Sequence, residues 1–475
     1  MSERFDVVVV GSGAGGGVVA GELADRDRNV LLLELGPHRT AADFTRWEAK
    51  AAHDIWWPIR FALIDGGAGG AVALLAGRCV GGTTTINTKV ALRAHAKDLA
   101  KWREASGIEL GTADLAPHYD RVEQRLGVRE RTDWRKSVHT VEPAFRELGA
   151  PLEAVRTYTD ANCMSCGSCL QGCPTNAGKS TMNTYIHEAW AAGKLELRAD
   201  ARVERVLIEG GEAKGVEYVD SAGATRRVDA SAVVVAAGTL NTPQLLMRSG
   251  LPDSPSSRLV GRNLGFHPVR LVYGLFDEPQ DAHMVYPISA HSMAHQHDED
   301  GGFVIEATTI QDPVAFATTL EDENGPLWGA PLVEAVRNFR RFIGVLAMVT
   351  DENNGVVRLD DNGQEAFDAP FSSTEHERLA AALDFSRDVL TAAGASRVFW
   401  TGVASTHVQG TCRMGSDPER SAVDADGQSW DVKRLYVGDG SLVPRTLSVN
   451  PSLTIMALAD RLAAHLHDDP HGSLS

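Results

Sequence analysis

Apolar runs broken by glycine-rich turns recur along the chain, and the first of them sets the expectation for the rest. Phe5 to Val10 is a short apolar run that ends at Gly11-Ser12-Gly13-Ala14-Gly15-Gly16-Gly17 and passes into a helical pattern with apolar positions at Val18, Val19 and Leu23. A second run, Val30 to Leu33, delivers Glu34 at its end. Strand, glycine turn, helix and strand in that order predict the opening of a doubly wound α/β layer. Further on, Val233 to Ala236 reads as a strand that enters Gly238-Thr239, with Asn241-Thr242-Pro243 opening a helix. Alternation at Val356 to Leu359 and a long helical pattern near His376 to Ala392 predict a second region, a sheet backed by helices. Near the end, Leu435 to Val437 forms a strand, Gly438-Asp439-Gly440 a turn, and a helix begins around Asn450-Pro451-Ser452, where proline suits the first helical turn. No internal repeat is present.

The glycine turn carries chemistry. Gly11 permits the tight turn, Gly13 lets the backbone approach a pyrophosphate, and Gly16 lets the helix pack closely on the sheet, while the helix amino end offers free N–H groups to phosphate. Glu34 is placed to bind adenosine ribose hydroxyls and disfavours a 2′-phosphate, so NAD or FAD is expected rather than NADP. A second glycine-rich stretch, GRCVGGTTTINTKV from Gly77 to Val90, is followed by hydroxyls and an amide, as holding a long cofactor requires. The terminal helix can aim its positive end at the pyrimidine edge of a flavin.

Length and charge narrow the picture. A chain of 475 residues with 43% apolar composition supports two intimately joined domains. The formal charge of −17 argues against nucleic acid or an anionic membrane surface as partner. No stretch approaches the length of a membrane-spanning helix, which leaves only peripheral membrane contact open. The start lacks the pattern of a signal peptide and six cysteines are too few and too clustered for a disulfide framework, so a reducing cytoplasm is expected.

Taken together, GSGAGGG, GRCVGGTTTIN, AAGTLNTPQLLMRSG, GRNLGFHP, THVQGTCRMG and LYVGDGSLVPRTLSVNPSLTIMALADR resemble the motifs of the glucose–methanol–choline (GMC) family of FAD-dependent oxidoreductases, over essentially the whole chain. The resemblance implies a mixed α/β and α+β fold: a Rossmann-like FAD-binding domain built from discontinuous segments, and a substrate domain with an antiparallel sheet backed by helices. The expected division is 1–150 and 191–266 for FAD-binding segments, 151–190 for a cysteine-rich segment, 267–401 for the substrate domain and 402–475 for a closing FAD-binding and catalytic segment. Arg198 to Val206 resembles the family strand whose Val203 backbone meets the adenine. The resemblance also implies cofactor contacts at Ala14, Gly82, Thr83, Asn87, Asp439, Gly440 and Pro451. His407 matches the family's catalytic histidine and Asn450 the second catalytic position. An imidazole near neutrality can take the hydroxyl proton as hydride leaves for flavin N5, whereas the Asn450 amide can only hold the alcohol oxygen in line. Relatives with covalent flavin have a histidine before the asparagine of the second glycine motif; here Ile86 precedes Asn87, so FAD is expected to bind non-covalently.

Cys163, Cys166, Cys169 and Cys173-Pro174 have the spacing of bacterial ferredoxin segments. One four-iron or three-iron cluster is expected there, with structural zinc or redox-active thiols as alternatives. A cluster passes electrons singly, which favours a dehydrogenase delivering them to an acceptor protein or quinone. The alternatives are a flavin-only alcohol oxidase that makes hydrogen peroxide, a sugar dehydrogenase, and a non-redox FAD lyase. Residues Met284 to Phe399 are expected to line much of the pocket, with Phe399 and Trp400 as an apolar wall or core. His291, His295 and His297 are expected in a polar surface loop, and Cys79 and Cys412 as packing residues. A medium-sized or hydrophobic primary or secondary alcohol is preferred over a free sugar, whose pocket needs several convergent polar groups.

Overall fold

The computed structural model describes residues 3–64, 70–307 and 313–468. Its first layer is the sheet foreseen from the opening motif. Strand Arg4–Val10 lies between Val30–Leu33 and Thr225–Val235, parallel to both, and Leu195–Arg198 extends the edge beyond Val30–Leu33 in the same direction. The long strand Thr225–Val235 changes partner along its length. Its first half pairs antiparallel with Glu212–Val219, and its last residues pair parallel with Leu435–Val437. A parallel sheet covered on both faces reads as near-continuous apolar sequence, and Val7, Val8, Val9 and Val233 to Val235 are all fully buried. Helices Gly16–Asp25 and Ser452–Asp468 pack against each other on this layer, bringing the two chain ends to one core.

One difference follows from backbone geometry. The run Arg198 to Val206 is two strands, Leu195–Arg198 and Arg202–Glu209, broken where Asp200 takes a positive φ of 52°. Aspartate tolerates that left-handed conformation, and the break turns Val203 onto a separate strand.

The second layer is a large mixed sheet. Val269–Leu275 pairs antiparallel with Phe342–Val349, which pairs with Phe303–Ala307, and that strand with Ala290–Ser292. Helix Ser373–Ala392 packs behind it, closed at its start by a capping box in which Ser372 and Glu375 satisfy each other's backbone N–H groups. A hairpin of Arg60–Leu63 and Ala71–Leu74 joins the same sheet next to Ala404–Ser405. Among the described residues, no helix is long and apolar enough to cross a membrane.

Candidate active site

Both ends of the chain and its middle converge on one long cavity. Its nucleotide end is the first strand-to-helix turn. Gly11 has φ +95°, and a side chain there would sit 2.3 Å from the Ala236 carbonyl oxygen. At Gly16 a methyl group would lie 1.9 Å from the Gly11 oxygen, so bare glycine is what lets the helix close on the strand, as expected. Gly13 differs, because a methyl group there would meet nothing within 4 Å. Its missing side chain leaves open the space beside the helix amino terminus, a cradle that suits a pyrophosphate approaching the backbone N–H groups.

Gly11, Gly13, Ala14, Glu34 and Val203 all border the cavity; Gly16 does not. Glu34 is buried and already bonded. Its Oε2 accepts from the Ser12 N–H at 3.0 Å and hydroxyl at 2.6 Å, and Oε1 from the Gly36 N–H at 2.7 Å. Burial pushes its pKa up while these donors pull it down, with a net rise. Each carboxylate oxygen has two acceptor sites, so capacity remains for ribose hydroxyls.

The second glycine-rich loop and the start of the terminal helix line the same cavity. Gly82, Thr83 and Asn87 border it, as do Asp439, Gly440, Asn450 and Pro451, and Gly82 packs against Gly13 of the first turn. Asn87 donates to the Tyr158 hydroxyl, which in turn lies 3.0 Å from the Ser452 hydroxyl, tying loop to helix start. Beneath the loop, the fully buried Lys89 donates to the Thr84 and Thr85 carbonyls. Asp439 serves the fold more than sequence alone suggested. Its Oδ2 accepts from Gly238 N–H at 2.7 Å and Thr242 hydroxyl at 2.6 Å, and its Oδ1 from Ser441 N–H at 2.8 Å, clasping the 238–242 turn to its own loop.

His407 and Asn450 border the same cavity. The Asn450 amide donates to the buried Glu306 carboxyl, while its Oδ1 has no hydrogen-bond partner among the described residues. A buried acceptor left without a donor is costly unless a ligand supplies one. Burial holds His407 down at about 3 and pushes Glu306 up to about 7, so the imidazole is neutral near pH 7. Behind His407 stands His267, wholly buried, with Nδ1 of the two rings 3.0 Å apart and the rings perpendicular at 89°. Neither His267 nor Glu306 was singled out from sequence. His267 lies within GRNLGFHP and so was visible as a motif position, but only the fold brings it to His407. Glu306 sits in an apolar strand, FVIEA, where a lone acid was the available signal.

The four clustered cysteines border none of the cavity, although Leu170 between them does. Among the described residues no three histidine, cysteine or acidic side chains converge as ligands of a metal ion would. The expected cluster at Cys163, Cys166, Cys169 and Cys173 therefore finds no support in the geometry. The thiols occupy different environments. Cys163 lies against the Arg131 guanidinium, and burial pushes Cys169 up to about 12. At Cys173, burial raises the pKa but is outweighed by the Thr175 hydroxyl and by the Gly178 N–H, 3.2 Å from sulfur. Loop residues Ser165, Gly167 and Gly172 take positive φ between these positions.

Other expectations changed as well. Of the described residues in 267–401 only Glu365 borders the cavity; Phe399 fills a buried aromatic core with Phe342 and Phe316, and Trp400 packs on the core beneath helix Ser373–Ala392. His291 is not in a surface loop but buried in strand Ala290–Ser292, directly opposite Glu306. Cys79 and Cys412 are fully buried packing residues, as expected.

Comparison with known proteins places this geometry. Profiles described as GMC oxidoreductase match residues 5–269 and 351–459. An uncharacterized GMC-type oxidoreductase of Mycobacterium tuberculosis is 33% identical over 495 residues, covering 96% of this chain and 75% of that protein. A long-chain-alcohol oxidase of Arabidopsis thaliana is 29% identical, covering 98% of this chain and 67% of the relative. A 2-methyl-1,2-propanediol dehydrogenase of Mycolicibacterium austroafricanum is also 29% identical, over 98% of this chain and 95% of its own. In fold, the chain is similar to pyridoxine 4-oxidase from Mesorbium loti, with TM-score 0.75, 21% identity, and 97% and 99% of the two chains covered.

Proposed function

We propose, starting from the fact that this chain belongs to the GMC oxidoreductase family, that it oxidises a hydrophobic alcohol with non-covalent FAD, His407 serving as base and Asn450 as the group that holds the alcohol oxygen. The chain is an FAD-dependent oxidoreductase acting on CH–OH groups. The observation that carries the finer reading is the single cavity that begins at Gly13 and Glu34 and ends at His407 and Asn450.

The residues present fit the cofactor. The open space at Gly13 and the helix amino terminus behind it would hold the pyrophosphate, Glu34 and Val203 the adenosine, Asp439 the ribityl or pyrophosphate portion, and Asn87, Gly440 and Pro451 the flavin half. When bound, FAD supplies the acceptor for the hydride that leaves the carbinol carbon. His407, kept neutral by burial, takes the hydroxyl proton. The Asn450 amide gives one N–H to Glu306, and its second N–H is the donor that would hold the alcohol oxygen, leaving the single hydroxyl proton for His407. That fixed amide orders the alcohol for in-line loss of proton and hydride.

Substrate class follows from the wall. Trp56, Trp57, Leu75, Ile86, Leu170 and Val408 border the cavity. The outward face of the adjoining hairpin is also apolar, with Ile59 and Phe61 more than half exposed. An apolar approach and this apolar stretch of wall suit an aliphatic alcohol better than a sugar. The relatives named for long-chain alcohols and for a branched diol support the same class. Electron export through an iron–sulfur cluster is not carried into this reading, because the four thiols do not converge. We favour direct oxidation by dioxygen, with hydrogen peroxide as product.

The test is anaerobic flavin bleaching with a series of straight-chain primary alcohols, followed by oxygen uptake, with iron and acid-labile sulfide measured on the same sample. Bleaching that strengthens with chain length, and one peroxide for each aldehyde, are expected. Failure of every alcohol to bleach the flavin would overturn the substrate class. Stoichiometric iron and sulfide with dye reduction but no peroxide would overturn the oxidase assignment.

A further inference from the structure

We propose that His267 is a positioning residue that fixes the tautomer of His407 and leaves Nε2 of His407 as the bare nitrogen available to the alcohol. The inference rests on the reading of His407 as base, and extends it to a specific atom.

The argument is a matter of which group can donate. Nε2 of His267 lies 2.5 Å from the Leu447 carbonyl oxygen. A carbonyl only accepts, so that nitrogen carries a proton. His267 is 0% exposed, and burial holds its pKa down at about 4, so the ring is neutral near pH 7 and has no second proton. Its Nδ1 is therefore a lone pair. The contact at 3.0 Å from that lone pair to Nδ1 of His407 is a hydrogen bond only when His407 carries its proton on Nδ1. His407, also held neutral, then has an unprotonated Nε2.

The consequence for catalysis is direct. Neutral imidazole in water favours the other tautomer, with its proton on Nε2. Left to that preference, His407 would present an N–H to the cavity and could not accept the hydroxyl proton there. The chain Leu447 carbonyl, His267, His407 reverses the preference by the hydrogen bond on the far nitrogen, the device that commonly selects between the two ring nitrogens. Both partners of the chain are held rigidly. Leu447 is fully buried, and the Phe266 N–H beside His267 is bonded to Asp351 Oδ2 at 2.8 Å.

Histidine-selective nitrogen-15 labelling of the holoenzyme, read by long-range proton–nitrogen correlation, reports the tautomer without any turnover. The spin system absent from His407→Ala belongs to His407. It is expected to show Nδ1–H in the wild type and Nε2–H in His267→Phe. In stopped-flow experiments His267→Phe, with FAD retained, should slow flavin reduction about 10- to 100-fold, within the range of a general base's contribution. His267→Gln keeps one acceptor and one donor, and should restore the rate to within about 3-fold of wild type. An Nε2–H tautomer at His407 in the wild type, or Nδ1–H in both wild type and His267→Phe, would overturn the proposal. The wild-type spectrum decides even if His267→Phe does not fold. Normal flavin reduction in His407→Ala would overturn the base assignment alone, since the tautomer signals do not depend on it.

Discussion

The sharpest consequence of the geometry concerns two glycines of one turn, two positions apart, with opposite surroundings. At Gly13 an added methyl group meets nothing within 4 Å, whereas at Gly15 it would sit 1.7 Å from the Gly438 carbonyl oxygen. The second distance is far inside the ~3.5 Å at which non-bonded atoms touch. Gly15→Ala must therefore push the first helix away from the Gly438 turn, at or above the upper end of the ~1–3 kcal/mol that overpacking costs. Gly13→Ala has no such clash and loses a flexible residue from the unfolded chain, for a gain of about 0.4–1 kcal/mol. The methyl group, however, fills the space assigned to the pyrophosphate. We expect FAD affinity to fall about 100-fold, equivalent to ~2.7 kcal/mol. Thermal melts of flavin-free protein measure the first effect, and FAD titration followed by flavin fluorescence the second. Gly13→Ala should melt at or above wild type without flavin and lose most of the stabilisation that flavin confers. Equal apoprotein destabilisation by both substitutions would refute the packing argument, and wild-type FAD affinity in Gly13→Ala would refute the placement of the pyrophosphate.

Further predictions bear on the catalytic end. His407→Ala should retain FAD and slow flavin reduction by ~10²–10⁴-fold, measured by anaerobic stopped-flow absorbance; an unchanged rate would remove its proposed role. Glu306→Gln should change the pH dependence of stability. The Glu306 pKa rises on folding from 4.5 to about 7, so the folded state binds more protons between those values and stability falls as pH rises through that window. The variant should lack this fall, so its melting temperature relative to wild type should grow from pH 4.5 to pH 7 and then level off; a constant difference would mean that Glu306 is not buried in the protonated form. Cys166→Ser should leave alcohol-to-flavin transfer and peroxide yield unchanged in oxygen-electrode assays, because no cysteine borders the cavity; loss of either would restore a redox role to the cysteine segment.

Much of the nucleotide end was legible in the chain because its determinants are local. Gly11, Gly13 and Gly16 act within one turn, and Glu34 ends the next strand, so residue spacing and geometry are nearly the same information. The terminal helix and strand Gly355–Leu359 were legible for the same reason. The cysteine segment misled because spacing permits convergence without enforcing it: among the described residues no three such side chains are placed as a metal ion's ligands would be. His291 misled because charged neighbours suggested a surface loop, while burial of the strand depends on pairing with distant Phe303–Ala307.

By itself the sequence determined the α/β opening and the dinucleotide-type turn, which depend on periodicity and on residues within a few positions of one another, while the candidate base His407 was named from its motif's resemblance to the GMC family. Only the tertiary structure decided that His267 backs His407, 140 residues away, and that Glu306 turns Asn450. Those contacts join separate strands and loops through packing, and the direction of a hydrogen bond between them is set by which groups the fold leaves with a proton to give.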